Sequence, residues 1–395
     1  MTAPPLLRLR PREGRRARAG APWVFSNEVA LDAVAKSLAP GSLVRLEGDD
    51  GKSFGLGYFN PQSLIAVRLF ECPVDTRIDR VFFEKRLARA LALRTALYDR
   101  PFYRLVHAEG DGLPGLTIDR FGETCVVQIT TAGMERLLDH ILAALKAVVV
   151  PECIVLRADT PIRALEGLET YVRAVEGEVP HRVGVEEGGA RYFADPASGQ
   201  KTGWYYDQRD NRAFLAQIAK GKTMLDAYCY TGGFAIAAAR AGAGDVTGID
   251  SSAPALALAE DAAAANGVVN LCRFLKADVF EELERLSARG ERFGVVSADP
   301  PPFVKSRKDL EVGAKAYRKL ARLASSVTAE GGFLMLASCS HNMPLERFAS
   351  ECAIGILRSG RRAALIRQAG AGPDHPSHPL LPESAYLKAL VFALD

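Results

Sequence analysis

A cysteine and an aspartate at the ends of two predicted strands are the residues best suited to covalent chemistry. Asp299 opens the run Asp-Pro-Pro-Pro-Phe after one strand, and Cys339 lies in Ser-Cys-Ser at the end of the next. Methylation of a pyrimidine at C5 needs a nucleophile, because C5 reacts poorly by itself, and a thiolate that adds to C6 supplies it. A hydrogen bond or proton from Asp299 at the N3 edge would stabilise the developing charge, and Phe303 would stack on the base.

Other interpretations of the same residues stay open. A cysteine in a strand is usually an inert small hydrophobe, so position alone leaves the role of Cys339 undecided. The Asp299–Phe303 run also suits an exocyclic amine of guanine, adenine or cytosine, and transfer to an amine needs no thiol. Cys229 lies in a glycine-containing turn and is expected to pack rather than react, and Cys72, Cys125, Cys153, Cys272 and Cys352 lie in apolar contexts.

A glycine-containing turn after the first strand of this region predicts the binding site of a nucleoside cofactor. The turn has one adjacent glycine pair rather than the G-x-G-x-x-G that seats a pyrophosphate, which favours S-adenosylmethionine over a dinucleotide. Asp250 ends the second strand, where a carboxylate accepts from ribose hydroxyls, and Asp278 ends the third, where it would accept from an adenine amino group. Each aspartate alone is more often a helix N-cap. The candidate contacts in the turn are Asp226, Tyr230, Thr231, Gly232, Gly233 and Phe234.

Two further functions are compatible with these residues. A dehydrogenase with a Rossmann domain would show the same alternation of elements, but the missing dinucleotide fingerprint argues against it. An RNA-binding protein with an inactive methyltransferase fold would also keep the elements, although the acidic residues and Cys339 argue for an active enzyme.

The elements that must position these residues change character along the chain. Residues 188–395 alternate strands and helices, which predicts an α/β, doubly wound, Rossmann-like methyltransferase domain with its ligands at the carboxyl ends of the strands. Residues 1–75 read as short strands broken by Gly and Asp-Gly, typical of a small β-barrel. Residues 76–187 read as a central α+β domain that begins with a helix near 79–100.

Composition bounds the remaining possibilities. The chain has 395 residues, of which 48% are hydrophobic and 25% charged, the balance of a folded protein with more than one domain. Seven cysteines without a C-x-x-C pair, and no secretory signal or long apolar run, favour the cytoplasm and no membrane partner. The six histidines form no ligand set, so no metal is expected.

The distribution of charge points to one further surface. Net charge is only +3, yet residues 8–18 contain six arginines and one acid, a cluster that suits phosphate contacts. A solvated terminal arm is the alternative interpretation. The candidate RNA contacts are Arg12, Arg15, Arg16 and Trp23.

Several motifs occur together over nearly the whole chain. They are Ala21–Asn27 after the arginine cluster, GDGLPGLTIDRFG at 110–122, Gly199–Gly203, Asp207–Arg212, and then YTGGF, DPPPF, SCS and DHP. In this order they resemble the bacterial large-subunit (23S) ribosomal RNA cytosine-C5 methyltransferases that carry an N-terminal PUA domain.

The resemblance implies a role for several residues. Cys339 would be the nucleophile, the Asp207–Arg212 stretch with Gln208, Arg209 and Arg212 would help shape the cofactor pocket, and the PUA barrel would hold RNA. The implied cofactor is S-adenosyl-L-methionine, and the implied substrate is one cytosine of 23S rRNA. The family often has Lys after its Pro pair where this chain has Pro302, which removes a contact to phosphate or base.

Two expectations concern the state of the partners. The target base should be flipped or unpaired when it reacts, because C5 and C6 must meet the methyl donor and the thiol together. Association of the chain into a homodimer is left open.

Overall fold

The computed structural model describes residues 3–395, which separate into two compact units that the chain enters more than once. Unit 1 contains the described residues up to His181, together with Asp195–Gly203 and Pro373–Ser384. Unit 2 contains Arg182–Ala194, Trp204–Gly372 and Ala385–Asp395. Each of the three predicted domains has a sheet of its own, but the two N-terminal ones lie within the same unit.

The first sheet of unit 1 is a small barrel with five strands in the order β1-β3-β4-β5-β2. Its elements are β1 (Leu6–Arg8), α1 (Arg15–Arg18), β2 (Trp23–Phe25), α2 (Ala33–Ser37), β3 (Ser42–Glu47), β4 (Ser53–Phe59) and β5 (Ile65–Leu69). A bridge between Leu9 and Val29 joins the segments that follow the two outer strands, so the sheet closes on itself. Inward side chains such as Val24, Val44 and Val67 are fully buried and form its core.

The second sheet of unit 1 has five strands in the order β10-β9-β8-β7-β6. Its elements are α3 (Arg80–Leu97), β6 (Phe102–His107), β7 (Leu116–Phe121), β8 (Thr124–Ile129), α4 (Ala132–Arg136), α5 (Leu138–Val149), β9 (Cys153–Ala158), α6 (Ile162–Leu165) and β10 (Tyr171–Glu176). Helix α3 begins at an N-cap, Asp79, whose carboxylate accepts from Val81 and Phe82. Tyr58 of β4 and Phe70, which follows β5, pack into the same hydrophobic core as the side chains of this second sheet. This shared core explains why the barrel and the second sheet form a single unit.

The segment Pro373–Ser384 completes unit 1 from far along the chain. The guanidinium of Arg94, which has no solvent exposure, is paired with Asp111 at 2.6 Å and donates to the Asp374 carbonyl at 2.8 Å. The Asp374 carboxylate accepts from the Arg104 backbone N–H at 2.9 Å. Buried polar groups need such partners, so this late segment is part of the interior of unit 1.

Unit 2 is built on a sheet of seven strands in the order β15-β14-β13-β16-β17-β19-β18. Its elements are β11 (Val183–Glu187), β12 (Ala190–Ala194), α7 (Arg209–Ala219), β13 (Met224–Ala227), α8 (Gly233–Arg240), β14 (Val246–Asp250), α9 (Ala253–Ala265), β15 (Cys272–Lys276), α10 (Val279–Ala288), β16 (Phe293–Ala298), α11 (Leu310–Ser326), β17 (Thr328–Ser338), α12 (Leu345–Arg358), β18 (Ala363–Ala369) and β19 (Lys388–Leu394). Strands β13 to β17 are parallel, as predicted, and β19 runs antiparallel to β17 and β18.

The strand order reverses at β13, which lies between β14 and β16. In open α/β sheets the ligand crevice lies at such a switch point, beyond the carboxyl ends of the strands. Ala298 pairs with Leu336 in the register of β16 and β17, so Asp299 and Cys339 follow the same end of neighbouring strands. In residues 3–395, no helix is both long and apolar enough to span a membrane.

Candidate active site

The turn after β13, residues 228–232, is held in an unusual backbone conformation and is called here the cofactor turn. Tyr228 and Tyr230 have φ angles of +64° and +49°, a region that residues with a side chain rarely adopt. The Tyr230 N–H donates to Asp250 Oδ2 at 2.9 Å, and the Cys229 N–H donates to the Ile249 carbonyl at 3.0 Å. Strain that neighbouring strands enforce in this way is typical of functional sites.

Asp226 lies beneath the cofactor turn and fixes the start of α8. It is only 1% exposed, and its two oxygens accept from the Ala235 N–H at 3.0 Å and the Ser297 hydroxyl at 2.7 Å. Burial raises the pKa of Asp226 to about 7. Both described contacts are with the protein, so Asp226 acts on the shape of the turn.

Arg212 supports the cofactor turn from behind. Its guanidinium pairs with buried Glu187 at 2.6 Å and lies 4.6 Å from the centre of the Trp204 ring. A Cβ on Gly233 would lie 3.1 Å from the Arg212 side chain, so a larger residue there would force this side chain to shift. Phe234, the next residue, also lies against this guanidinium at 6.0 Å.

Thr231 carries the unmatched polar atom of the cofactor turn. The residue is 1% exposed, and its hydroxyl has no hydrogen-bond partner among the described residues. A buried hydroxyl without a partner costs free energy unless a ligand supplies one. Asp250, at the end of β14, also accepts from the Ser252 N–H at 2.8 Å. These features fit a polar, nucleoside-bearing cofactor.

Asp278 combines two positions that the sequence analysis contrasted. It follows β15, as expected for an adenine contact, and its Oδ1 caps α10 by accepting from the Glu281 N–H at 3.0 Å. The residue is exposed. The N-cap role is therefore present, and it leaves Oδ2 outside that hydrogen bond.

The loop at residues 299–303 begins with a carboxylate that is fixed as an acceptor. The Gln208 side-chain N–H donates to Asp299 Oδ2 at 2.8 Å, and the Gln208 side-chain oxygen accepts from the Asn211 side-chain amide at 2.7 Å. Gln208 is 1% exposed, so this relay lies inside unit 2. Arg209, the next residue in the chain, is half-buried, and its guanidinium lies 3.5 Å from the Glu187 carboxylate.

The segment at residues 338–340 is tied to the 299–303 loop through Tyr317 of α11. The Tyr317 hydroxyl accepts from Ser338 at 2.8 Å and lies 3.0 Å from the Ser340 hydroxyl. The Ser340 hydroxyl also accepts from the Val304 N–H at 3.3 Å. Cys339, between these two serines, is half-buried rather than enclosed in the core.

Phe303 packs at the base of the same arrangement. Its ring lies 4.8 Å from that of Tyr317 and 6.0 Å from that of Phe280, and the residue is half-buried. Pro301 and Pro302 before it are exposed. The loop therefore presents its prolines outward and anchors itself by the phenylalanine.

Tyr205 is a site residue that the sequence analysis missed. Its ring meets that of Tyr230 edge-on at 5.4 Å. Burial raises the pKa of Tyr205 well above its ordinary value, and the nearby charges of Asp299 and Cys339 raise it further. Tyr205 therefore lies close to the cofactor turn, the 299–303 loop and the thiol. The aromatic run Trp-Tyr-Tyr at 204–206 is the only signal that could have revealed it.

Cys229 packs as expected. It is 5% exposed, and burial raises the pKa of its thiol well above the ordinary value, which disfavours a reactive thiolate. Cys125 and Cys352 are also fully buried.

The predicted RNA contacts all belong to unit 1. Arg12 and Arg15 are exposed, and neither side chain forms an ion pair within residues 3–395. Arg16 pairs with Glu383 at 2.8 Å. The Trp23 indole donates to Glu109 at 2.7 Å, and Arg68 lies 5.2 Å over its ring, so this side chain has an internal role.

Two family models match the chain. A PUA-like domain matches residues 7–71, and an S-adenosylmethionine-dependent methyltransferase matches residues 169–392. The first range coincides with the barrel of unit 1, and the second contains the cofactor turn, the 299–303 loop and the 338–340 segment.

Curated relatives match over almost the full length. A protein of Pseudoalteromonas atlantica named ribosomal RNA large subunit methyltransferase I is 36% identical over 94% of each chain. One of Shewanella amazonensis with the same name is 38% identical, again over 94% of each chain.

Solved structures share the fold. A structure from Streptococcus mutans described as a SAM-dependent methyltransferase is 23% identical with a TM-score of 0.83, over 98% of this chain and 100% of that one. Another methyltransferase structure, in complex with SAH, is 22% identical with a TM-score of 0.85 over the same shares.

Proposed function

Because the chain belongs to the S-adenosylmethionine-dependent methyltransferases, with S-adenosylmethionine as its cofactor, we propose that it methylates C5 of a cytosine in large-subunit (23S) ribosomal RNA. The observation that carries the proposal is the link between the 338–340 segment and the 299–303 loop. Ser340 and Tyr317 tie the segment that contains Cys339 to the loop that opens with Asp299, which supports a thiol close to that loop. The relatives named as large-subunit rRNA methyltransferases support the choice of RNA.

The cofactor turn would hold S-adenosylmethionine at the switch point of the sheet. The Thr231 hydroxyl would gain the partner it lacks, and Tyr230, Gly232 and Gly233 would line the turn. Asp250 would accept from ribose hydroxyls and Asp278 from the adenine amino group, while Asp226, Arg212 and Phe234 act by shaping the turn. When bound, the cofactor supplies an electrophilic methyl group.

Cys339 and Asp299 would divide the chemistry on the base. The thiolate of Cys339 forms a bond to C6, which moves electron density to C5 and makes that carbon nucleophilic. Asp299, held by Gln208, accepts a hydrogen bond from the N4 amine or shares a proton with N3, and so orients the ring. Once C5 is methylated, a base removes the C5 proton, the C6–S bond breaks and the thiol is regenerated.

RNA would be bound in part by the barrel of unit 1. Arg12 and Arg15 are exposed and have no carboxylate partner within residues 3–395, so their guanidinium groups are available for phosphates. Arg16 and Trp23 already have partners in the protein, so they would contribute less.

Methylation of an exocyclic amine is the second candidate. Gln208 fixes Asp299 as a hydrogen-bond acceptor, and an acceptor at the end of the 299–303 loop also suits the donor N–H of an amine. That reaction needs no thiol. The two candidates therefore differ in their dependence on Cys339.

The test is methyl transfer to ribosomal RNA from cells that lack the protein. Cys339→Ala should abolish formation of 5-methylcytidine, measured by mass spectrometry of digested RNA, while Cys272→Ala, a change at another half-buried cysteine, should leave it intact. RNA with 5-fluorocytidine at the target should trap a covalent complex, because the C5 fluorine cannot leave as a proton does. If Cys339→Ala still transferred methyl groups, with a methylated amine as product, carbon methylation would be ruled out.

A further inference from the structure

Lys388 lies beside the proposed nucleophile, on a neighbouring strand. It is the first residue of β19 and pairs with Ser338 in the antiparallel register of β17 and β19. Residues that face each other in such a pair point to the same side of the sheet. The Lys388 ammonium reaches past the end of β17 and donates to the Ser340 carbonyl at 2.9 Å. It therefore fixes the peptide between Ser340 and His341, one residue beyond Cys339.

The charge of Lys388 has no carboxylate partner in the part of the chain that the structure describes. Its one described side-chain hydrogen bond is to the neutral Ser340 carbonyl. The residue is half-buried, and burial lowers its pKa, which the nearby Cys339 thiolate opposes. Electrostatic coupling acts on both partners, so the ammonium that is favoured by the thiolate also favours the thiolate.

Two of the titratable groups around Cys339 cannot carry a positive charge. Tyr205 and Tyr317 are phenols whose pKa burial raises, so both are neutral at neutral pH. The Asp299 carboxylate near Tyr205 would oppose a second negative charge. The His341 ring lies 5.2 Å from the Tyr386 ring, tilted by 34°. The Lys388 ammonium, which interacts with Cys339, would offset the repulsion between a thiolate and the Asp299 carboxylate.

We propose that Lys388 is a positioning residue whose ammonium holds the Ser340 carbonyl and stabilises the thiolate of Cys339. This inference rests on the proposed function, because a stabilised thiolate serves catalysis only if Cys339 is the nucleophile. The thiolate is the form that adds to C6, so a larger thiolate fraction at neutral pH speeds formation of the adduct. The Lys388 hydrogen bond also limits the directions in which the thiol can point.

The direct test is the pH dependence of Cys339 alkylation in the full chain. Iodoacetamide labelling of the Cys339 peptide, followed by mass spectrometry from pH 6 to pH 10, reports the titration of this thiol without any methyl transfer. Lys388→Met should move the midpoint upward by about one pH unit and slow labelling near pH 7 by about three- to tenfold. Lys388→Arg should restore most of the wild-type profile. Lys319→Met removes an exposed lysine of α11 that pairs with Glu284 of α10, and it should leave the profile unchanged.

Lys388→Gln separates charge from hydrogen bonding and guards against misfolding of the methionine variant. Glutamine keeps a donor for the Ser340 carbonyl but has no charge, so it should shift the titration as methionine does. A glutamine variant with the wild-type midpoint would overturn the inference, since the charge would then have no effect on the thiol. If instead the midpoint shifts but Cys339→Ala still transfers methyl groups, the proposed function fails while the coupling of Lys388 to Cys339 stands.

Discussion

Replacing Tyr317 by phenylalanine should loosen the link between the 299–303 loop and the 338–340 segment with almost no change in core volume. Tyr317 is 1% exposed, and its hydroxyl makes hydrogen bonds at 2.8 Å to Ser338 and 3.0 Å to Ser340. A neutral hydrogen bond contributes about 1 kcal/mol net, so the loss of two costs about 2 kcal/mol. For a domain of about 150–250 residues this lowers Tm by roughly 4–8 °C.

The same change should affect catalysis more than substrate binding. The Tyr317 hydroxyl holds the serines on both sides of Cys339, and no RNA contact is proposed for it. We therefore expect kcat for methyl transfer to fall about tenfold or more, with KM for RNA nearly unchanged. Differential scanning calorimetry gives the change in Tm, and labelled methyl transfer at varied RNA concentration separates kcat from KM.

Tyr192→Phe is the matched control for this prediction. Tyr192 is also 1% exposed and lies in unit 2, but the described structure gives its side chain no hydrogen bond. Its Tm should change by no more than about 2 °C, with methyl transfer unaffected. Equal losses in the two variants, or a Tyr317→Phe enzyme with wild-type kcat, would contradict the role assigned to the Tyr317 hydroxyl.

Three further predictions concern the support of the cofactor turn. Burial raises the pKa of Asp226 from 3.8 to about 7, so between these pH values the folded state keeps a proton that the unfolded chain has lost. The free energy of unfolding should therefore fall as pH rises from about 4 to about 7. Urea unfolding at pH 5 and pH 8 should show a smaller fall for Asp226→Asn than for the wild type. Thr231→Val removes a buried hydroxyl that has no hydrogen-bond partner among the described residues, so the free protein should keep its stability. Its affinity for S-adenosylhomocysteine, measured by calorimetry, should drop about fivefold or more. An unchanged affinity would show that Thr231 does not contact the cofactor. Arg212→Met removes the closer partner of buried Glu187 and leaves only Arg209, at 3.5 Å, to offset its charge, so it should cost about 3 kcal/mol in urea unfolding. Arg182→Ala, at an exposed ion pair, should cost less than about 1 kcal/mol, and similar losses in both would argue against a special role for the buried pair.

The parallel part of the unit 2 sheet could be predicted because each element carries its own local signal. Strand β14 is a short run with β-branched residues, Val-Thr-Gly-Ile, that ends in Asp250, and α9 follows Ser252, an N-cap with proline two residues behind it. The antiparallel strands β18 and β19 were left unassigned. A short apolar run such as β19 does not reveal its partner, and here its partners are β17 and β18, the latter separated from it by the 373–384 segment.

The candidate site could be predicted as a set of strand ends but not as a set of contacts. Asp299 and Cys339 follow neighbouring strands, as the alternation of elements implied. The direction of each side chain could not be read from the sequence: Asp226 turns toward the start of α8, and Arg212 turns toward Glu187. Tyr317 and Lys388 reach the 338–340 segment from α11 and β19, and such contacts between distant elements leave no local pattern.

The division of the chain has a consequence for biosynthesis. The Asp374 carbonyl that accepts from Arg94 lies 280 residues further along the chain, beyond nearly all of unit 2. Because a nascent polypeptide is synthesised from its amino terminus, the Arg94 guanidinium has no access to this acceptor until translation is almost finished. Unit 1 is therefore the first to be started in synthesis, but it acquires its complete interior only near the end. On a ribosome stalled within unit 2, the N-terminal half of the chain would lack the Asp374 partner of its buried Arg94.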